Sequence, residues 1–166
     1  MRLLSAVTYR TMSRPVVYLA SPLGFSPELF PYRERVRARL CDLGCTILDP
    51  WEQDQHATEL SAALRLADYN ERVAALASVA AGIGRLNEEL IRQSDVVLGV
   101  LDGMEPDSGT ASEIGFAAGL GKRCYGLRTD LRDCGDFTGL PVNLQLLHFI
   151  EGSGGQIFRS IGEIAL

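Results

Sequence analysis

Three carboxylates, Asp102, Asp107 and Glu113, punctuate a stretch in which an apolar run of strand length gives way to a turn and then to a helix start. The run Val96–Leu101 ends at Asp102. Glu105-Pro106-Asp107-Ser108-Gly109 makes the turn, and Thr110 with Glu113 three positions on has the spacing of a capping box. Ligands of open α/β sheets settle just beyond the carboxyl ends of the strands, so these acids are expected to crowd one ligand-facing edge. Glu113 then has two readings: a reciprocal cap of the first helical turn, or a carboxylate aimed at a substrate. In the second, the helix dipole and the free N–H groups of that turn would help to keep it ionised.

The elements that must hold these groups alternate along the chain. Pro15–Ala20 is short, continuous and β-branched, as a buried strand should be, and Ser21-Pro22-Leu23-Gly24 ends it. Val36, Leu40 and Leu43 recur at helical spacing between Pro31 and Leu43, with Gly44 as the stop; the basic face from Arg33 to Arg39 reads as solvated. Cys45–Leu48 is a second strand, closed by Asp49-Pro50. A helical region from Thr58 to Ser94 is expected to break at Gly82 and Gly84, giving two helices. Strand three (Val96–Leu101), a helix (Ala111–Leu120) and strand four (Arg123–Leu127) follow. Leu131–Gly139 reads as a polar loop, Pro141–Leu144 as a helix start, Phe149-Ile150 as a fifth strand and Gln156–Ile164 as a terminal helix. Such alternation implies βαβ crossovers and a parallel sheet covered on both faces. The expected fold is a single-domain α/β flavodoxin-like doubly wound five-stranded sheet of order 2-1-3-4-5, with its switch point between strands one and three.

Composition narrows the partners. The 166 residues carry a net charge of -5, which disfavours nucleic acid, and no apolar run approaches the ~20 residues of a membrane span. The first fourteen residues hold Arg2, Arg10 and Arg14 but no apolar h-region. A disordered extension is expected there, with Met12 as an alternative initiator, rather than a signal peptide. Cys41, Cys45, Cys124 and Cys134 form no CxxC pair and have no histidine at ligand spacing, so no metal site is expected; Cys41 and Cys124 read as small core residues, and a reducing cytoplasm fits.

Gly24 follows a strand, but neither GxGxxG nor GxxxxGK[ST] is present, which disfavours dinucleotide and P-loop binding. The acids between Asp102 and Glu113 would repel a bare triphosphate. Acids beside the aromatics Tyr18, Phe25, Trp51 and Phe116 suit a neutral ligand with hydroxyls and a ring, and a nucleoside fits. Carboxylates around a sugar also suit glycosidic chemistry, in which one traps an oxocarbenium-like centre and another protonates the departing base. Bland readings stand beside these. Tyr18 also suits a core position, Phe25 a loop plug, Asp49 an ordinary turn and Asn143 a helix start.

Three segments together resemble the nucleoside 2-deoxyribosyltransferases: Val17-Tyr18-Leu19-Ala20-Ser21-Pro22-Leu23-Gly24-Phe25, the block Glu105-Pro106-Asp107-Ser108-Gly109-Thr110-Ala111-Ser112-Glu113-Ile114-Gly115, and Gly139-Leu140-Pro141-Val142-Asn143-Leu144. With the strand Asp95–Val100 they run in order from about residue 15 to 150. The resemblance implies that Glu113 is the nucleophile that carries the 2-deoxyribosyl group until a second base takes it. It implies that Tyr18 orients Glu113, and that Asp107 contacts the substrate near the 5′-hydroxyl and base. Asn143 would reach a neighbouring subunit's site in a homo-oligomer built from dimers. It implies no cofactor, and 2′-deoxynucleosides and free nucleobases as substrates. Phe25, Asp49, Trp51, Asn87, Asp102 and Gly109 are the further expected substrate contacts.

One departure bears on the mechanism. Many members have an aspartate, the proposed proton donor, where this chain has Asn87, and an amide cannot act as an acid. The role would pass to Asp107, Asp49 or Asp102, with Asp107 favoured through its closeness to Glu113. Two rival functions share the architecture: a deoxynucleoside 5′-monophosphate N-glycosidase and a non-catalytic nucleotide-sensing module. The first needs phosphate-binding groups near the first loop, where no arginine or lysine lies between Arg14 and Arg33.

Overall fold

A computed structural model describes residues 14–166; the expected N-terminal extension falls almost wholly outside them. Five parallel strands form one sheet in the order β2-β1-β3-β4-β5, the flavodoxin-like order expected from the alternation of elements. The strands are β1 (Val16–Ala20), β2 (Thr46–Leu48), β3 (Val96–Val100), β4 (Arg123–Leu127) and β5 (Ile157–Phe158). Helix α1 (Phe30–Asp42) covers one face. Helices α3 (Tyr69–Gln93), α4 (Ser108–Gly119) and α5 (Leu144–Gly152) contribute to the other, and the short α2 (Ala57–Leu64) packs against α3.

Side chains alternate across a strand, so two cores follow from one register. Tyr18 lies beside Val97, and these residues share a face with Ala20 and Leu101, beneath Leu90, Ile91, Ile114, Ala117, Leu146 and Ile150. Val17, Leu19, Leu98, Val100 and Leu127 point the other way, against Val36 and Leu40 of α1. Gly99 belongs to the first face. A Cβ there would stand 2.5 Å from Ile114 Cδ1, so the missing side chain lets α4 settle closely on the sheet. That closeness brings the side of α4 within reach of Tyr18.

Three expectations about elements and one about burial are corrected. The long helical region breaks at Arg65–Asp68, not at Gly82 or Gly84, which lie inside a continuous α3. Asp68 caps α3 by accepting from the Glu71 amide, and this local bond outweighs two helical glycines whose entropic cost is about 1 kcal/mol each. Phe149-Ile150 is the last part of α5, where Leu146 and Ile150 form a buried i,i+4 pair. Gln156–Ile164 is not a helix. Ile157–Phe158 adds an edge strand beside β4, and a single 3₁₀ turn at Ile161–Glu163 follows. Cys124 is buried as expected, but Cys41 is exposed on α1.

The two α3 glycines should respond oppositely to substitution. Gly84 has open space where its Cβ would be, so Gly84→Ala should raise stability by about 1 kcal/mol through helix propensity. A Cβ on Gly82 would stand 2.7 Å from His56 Cε1, so Gly82→Ala should gain less or destabilise, and His56→Ala should restore the gain. Thermal melts of the three variants check this; equal gains at both glycines would contradict the packing described.

Candidate functional site

Helix α4 is capped by Asp107, not by Thr110. The Asp107 carboxylate accepts from the Thr110 amide at 2.9 Å through Oδ2, with the Thr110 hydroxyl 3.3 Å from the same oxygen. Aspartate is as good a cap as threonine, and its place upstream wins a further turn of helix. The capping-box reading of Glu113 is thereby overturned. Glu113 lies in the second turn, beyond the unbonded amides of the first, and its side chain turns toward the sheet.

There it meets Tyr18. The Tyr18 hydroxyl donates to Glu113 Oε1 at 2.7 Å, and Asn87 Nδ2 of α3 donates to the same oxygen at 3.2 Å. Three elements far apart in sequence thus converge on one carboxylate. Both donors use Oε1, and Oε2 accepts no hydrogen bond among the described residues. Asp107 stands close enough for its charge to act on Glu113, and only its Oδ2 is spent on the cap.

The electrostatics follow from burial. Burial pushes the Glu113 carboxyl above its ordinary value and the Asp107 charge adds to the rise, while hydrogen bonds from Tyr18 and Asn87 hold it back. The Tyr18 hydroxyl is pushed far above its ordinary value by burial, then by the charge and the hydrogen bond of Glu113. Tyr18 therefore remains a proton-bearing donor at any ordinary pH.

The other expected contacts divide. Asp102 is not brought to Glu113. It follows Leu101 and so lies on the α1 side, accepting from the Tyr32 hydroxyl at 2.7 Å, the Thr129 hydroxyl at 3.0 Å and the Thr129 and Asp130 amides. Asp49 is buried and committed: Oδ2 receives Arg33 and Arg37, and Oδ1 accepts the Trp51 amide at 3.0 Å. This corrects the reading of Arg33–Arg39 as a solvated face, because Arg33 and Arg37 form an ionic cluster with Asp49 and Glu52, and Arg39 donates to the Ile164 carbonyl. Trp51 Nε1 donates to the Ser21 carbonyl at 2.7 Å, tying the end of β2 to the end of β1. Phe25, 77% exposed, rests edge-on against Trp51 at 4.5 Å between centroids. Gly109 lies in the first turn of α4, where an added Cβ would stand 3.0 Å from Asp107 Oδ2.

Asn143 caps α5, accepting from the Gln145 and Leu146 amides and donating to Asp136. It lines a cavity of about 450 Å³ with Glu105, Pro106, Cys134 and Asp136, and makes no bond to Tyr18, Asn87 or Glu113. No cluster of three or more metal-ligating side chains occurs among the described residues, and none of their helices is long and apolar enough to cross a membrane. Arg128, which the sequence did not single out, is a buried cation at the carboxyl end of β4.

The profile of the nucleoside 2-deoxyribosyltransferase family matches residues 17–145, from β1 through the start of α5. The chain belongs to the nucleoside 2-deoxyribosyltransferase family. Membership makes it an enzyme acting on the N-glycosidic bonds of nucleosides. Among solved structures, a conserved protein from Enterococcus faecalis V583 is similar at 24% identity and a TM-score of 0.60, over 91% of this chain and 94% of that one. A 2-deoxyribosyltransferase from Bacillus psychrosaccharolyticus is similar at 22% identity and a TM-score of 0.55, over 89% and 88%. Both share the fold. No curated protein matches the sequence significantly.

The convergence on Oε1 sets a titration. Carboxyl-carbon NMR should show Glu113 titrating above the ordinary glutamate range, and Tyr18→Phe, which removes a donor to the charged form, should move it higher still. A Glu113 resonance that titrates identically in both proteins would mean that the Tyr18 bond is not made in solution.

Proposed function

We propose that this enzyme is a nucleoside 2-deoxyribosyltransferase that exchanges purine or pyrimidine bases on 2-deoxyribose through a covalent glycosyl-enzyme on Glu113. The observation that carries this reading is the one-sided hydrogen bonding of Glu113: Tyr18 and Asn87 fix Oε1, and Oε2 is left for an anomeric carbon. Asp49 and Asp102, which tie loops together, by contrast use both oxygens.

In the first displacement Oε2 bonds to C1′ as the C1′–N bond breaks. The bonding pair leaves with the base, which takes up a proton. In the second, a nitrogen of the incoming base attacks C1′ from the vacated face and loses its proton, and the C1′–O bond returns its electrons to Glu113. Two inversions give net retention. Tyr18 and Asn87 hold the carboxylate in line with C1′. Asn87 has no acidic proton, so proton delivery to the departing base is assigned to Asp107, through the oxygen not used in the cap. Trp51 and Phe25, joined at the ends of β2 and β1, offer aromatic surface for the base. The substrate is an uncharged nucleoside, since Asp49 and Glu52 occupy the guanidinium groups of Arg33 and Arg37 beside the first loop. Asn143, whose own bonds lie away from Glu113, is assigned to a neighbouring subunit's site in a homo-oligomer.

Ionised Glu113 is the attacking form. Its raised value means that activity is lost, as pH falls, above the range of an ordinary glutamate. The same shift has a stability sign. A carboxyl whose folded value is raised binds its proton more tightly when folded, so the ionised form costs stability at neutral pH and the cost vanishes at acid pH.

Incubating a 2′-deoxynucleoside with a different free base should yield the new nucleoside. Glu113→Gln should lower that rate by more than about 10³-fold while melting at or above the parent temperature at pH 7, an advantage that shrinks toward acid pH. Free deoxyribose without new nucleoside would make the enzyme a hydrolase. Unreduced exchange in Glu113→Gln would remove the nucleophile assignment.

A further inference from the structure

Arg128 is fully buried at the carboxyl end of β4 and has no carboxylate partner among the described residues. A guanidinium in such a place is costly unless its protons are met. Nη1 donates to the Leu101 carbonyl, and Nη2 to the Gly103 carbonyl at 3.2 Å and the Arg132 carbonyl at 2.8 Å; Nε has no partner. Asp102, between the two β3-side carbonyls, reaches back to the Thr129 and Asp130 amides, next to Arg128. The two segments therefore clasp each other reciprocally. Guanidinium meets the carbonyls flanking Asp102, and carboxylate meets the amides that follow Arg128. The Tyr32 hydroxyl of α1 closes the clasp from outside.

The segment so held leads directly into Glu105-Pro106-Asp107 and the start of α4. Beyond the clasp, the described residues give this stretch few anchors: the Asp107 cap itself, and Arg132 against the Met104 sulfur. We propose that Arg128, with Asp102, is a positioning residue: the clasp sets where the loop after β3 delivers Asp107 and the first turn of α4 to the substrate. Its bearing on catalysis rests on the function proposed above; its bearing on the loop does not. An orienting group acting through another residue governs rate by geometry, and a misplacement of 1 Å can cost about 10²-fold. Neither residue touches Glu113, so neither is a catalytic residue.

Arg128→Lys keeps the charge but not the planar fork that spans three carbonyls. Asp102→Asn, at the less buried side of the clasp, is the second variant should the first fail to fold. Base exchange is measured with a 2′-deoxynucleoside donor and a free base, together with hydrogen exchange of the amides of Gly103, Met104, Glu105 and Asp107 (Pro106 has none) and of those in β1. The expected result is kcat/KM lowered by about 10–100-fold with KM for the donor raised, and faster exchange at 103–107 while β1 is unchanged. KM does not depend on how much of the protein is folded, so a purely stabilising role would leave it unmoved. Unchanged KM and kcat per folded site, or exchange that rises equally in β1, would overturn the proposal. If the parent enzyme transfers and hydrolyses nothing, the functional reading fails alone and the hydrogen-exchange arm still decides the clasp.

Discussion

The 2.7 Å hydrogen bond between Tyr18 and Glu113 joins the first strand to the second turn of α4, and most other features of the site can be ordered around it. A hydroxyl on a fully buried strand residue can reach a helix side chain only if the helix lies close to the sheet. Gly99 permits that approach, and Ile114 and Ala117 hold it through packing. Burial at this contact takes the carboxylate out of water, raising the cost of its charge. The Tyr18 bond meets that cost in part, since a hydrogen bond to an ionised group is stronger than one between neutral groups. The result is a carboxylate held in one geometry by donors on one oxygen. A charge placed this way costs stability at neutral pH, which fits a role in chemistry rather than in folding.

The acids near the sheet's carboxyl edge differ in what they bind, and the difference follows from which face of the sheet each serves. Asp49 and Asp102 have their oxygens occupied by arginines, amides and hydroxyls, and they tie loops together on the α1 side. Asp107 gives one oxygen to the helix cap. Glu113 receives both of its hydrogen bonds on Oε1, and no described residue bonds Oε2. A crowd of carboxylates in the sequence thus resolves into two that hold the scaffold, one that starts a helix and one turned to the site.

Strand order and the β4 boundaries were legible because short apolar runs and helical spacing are local signals that tertiary packing left intact, whereas the Tyr18–Glu113 pairing was implied only by the family resemblance. The opposite placement of Asp102 was also within reach. Counting in twos from Val97 puts Leu101 on Tyr18's face and Asp102 behind it. The break before α3 had its own signature in Asp68 and Glu71, three apart, but Gly82 and Gly84 looked like the stronger punctuation. Gly82 is in fact where His56 packs, a contact no periodicity reveals. The last strand was hidden by its length: two residues show no period, and only pairing with β4 makes Ile157–Phe158 a strand. Arg128 carried no signal at all, since its partners are backbone carbonyls and those have no residue type.

Mass spectrometry reads the proposed covalent bond at Glu113 directly. After rapid acid quench of enzyme mixed with a 2′-deoxynucleoside and no acceptor base, the peptide containing Glu113 should carry the mass of one 2-deoxyribosyl group. The modification should vanish when a free base is added before the quench. An adduct on any other residue, or catalytically active enzyme that never carries one, would contradict a glycosyl-enzyme on Glu113.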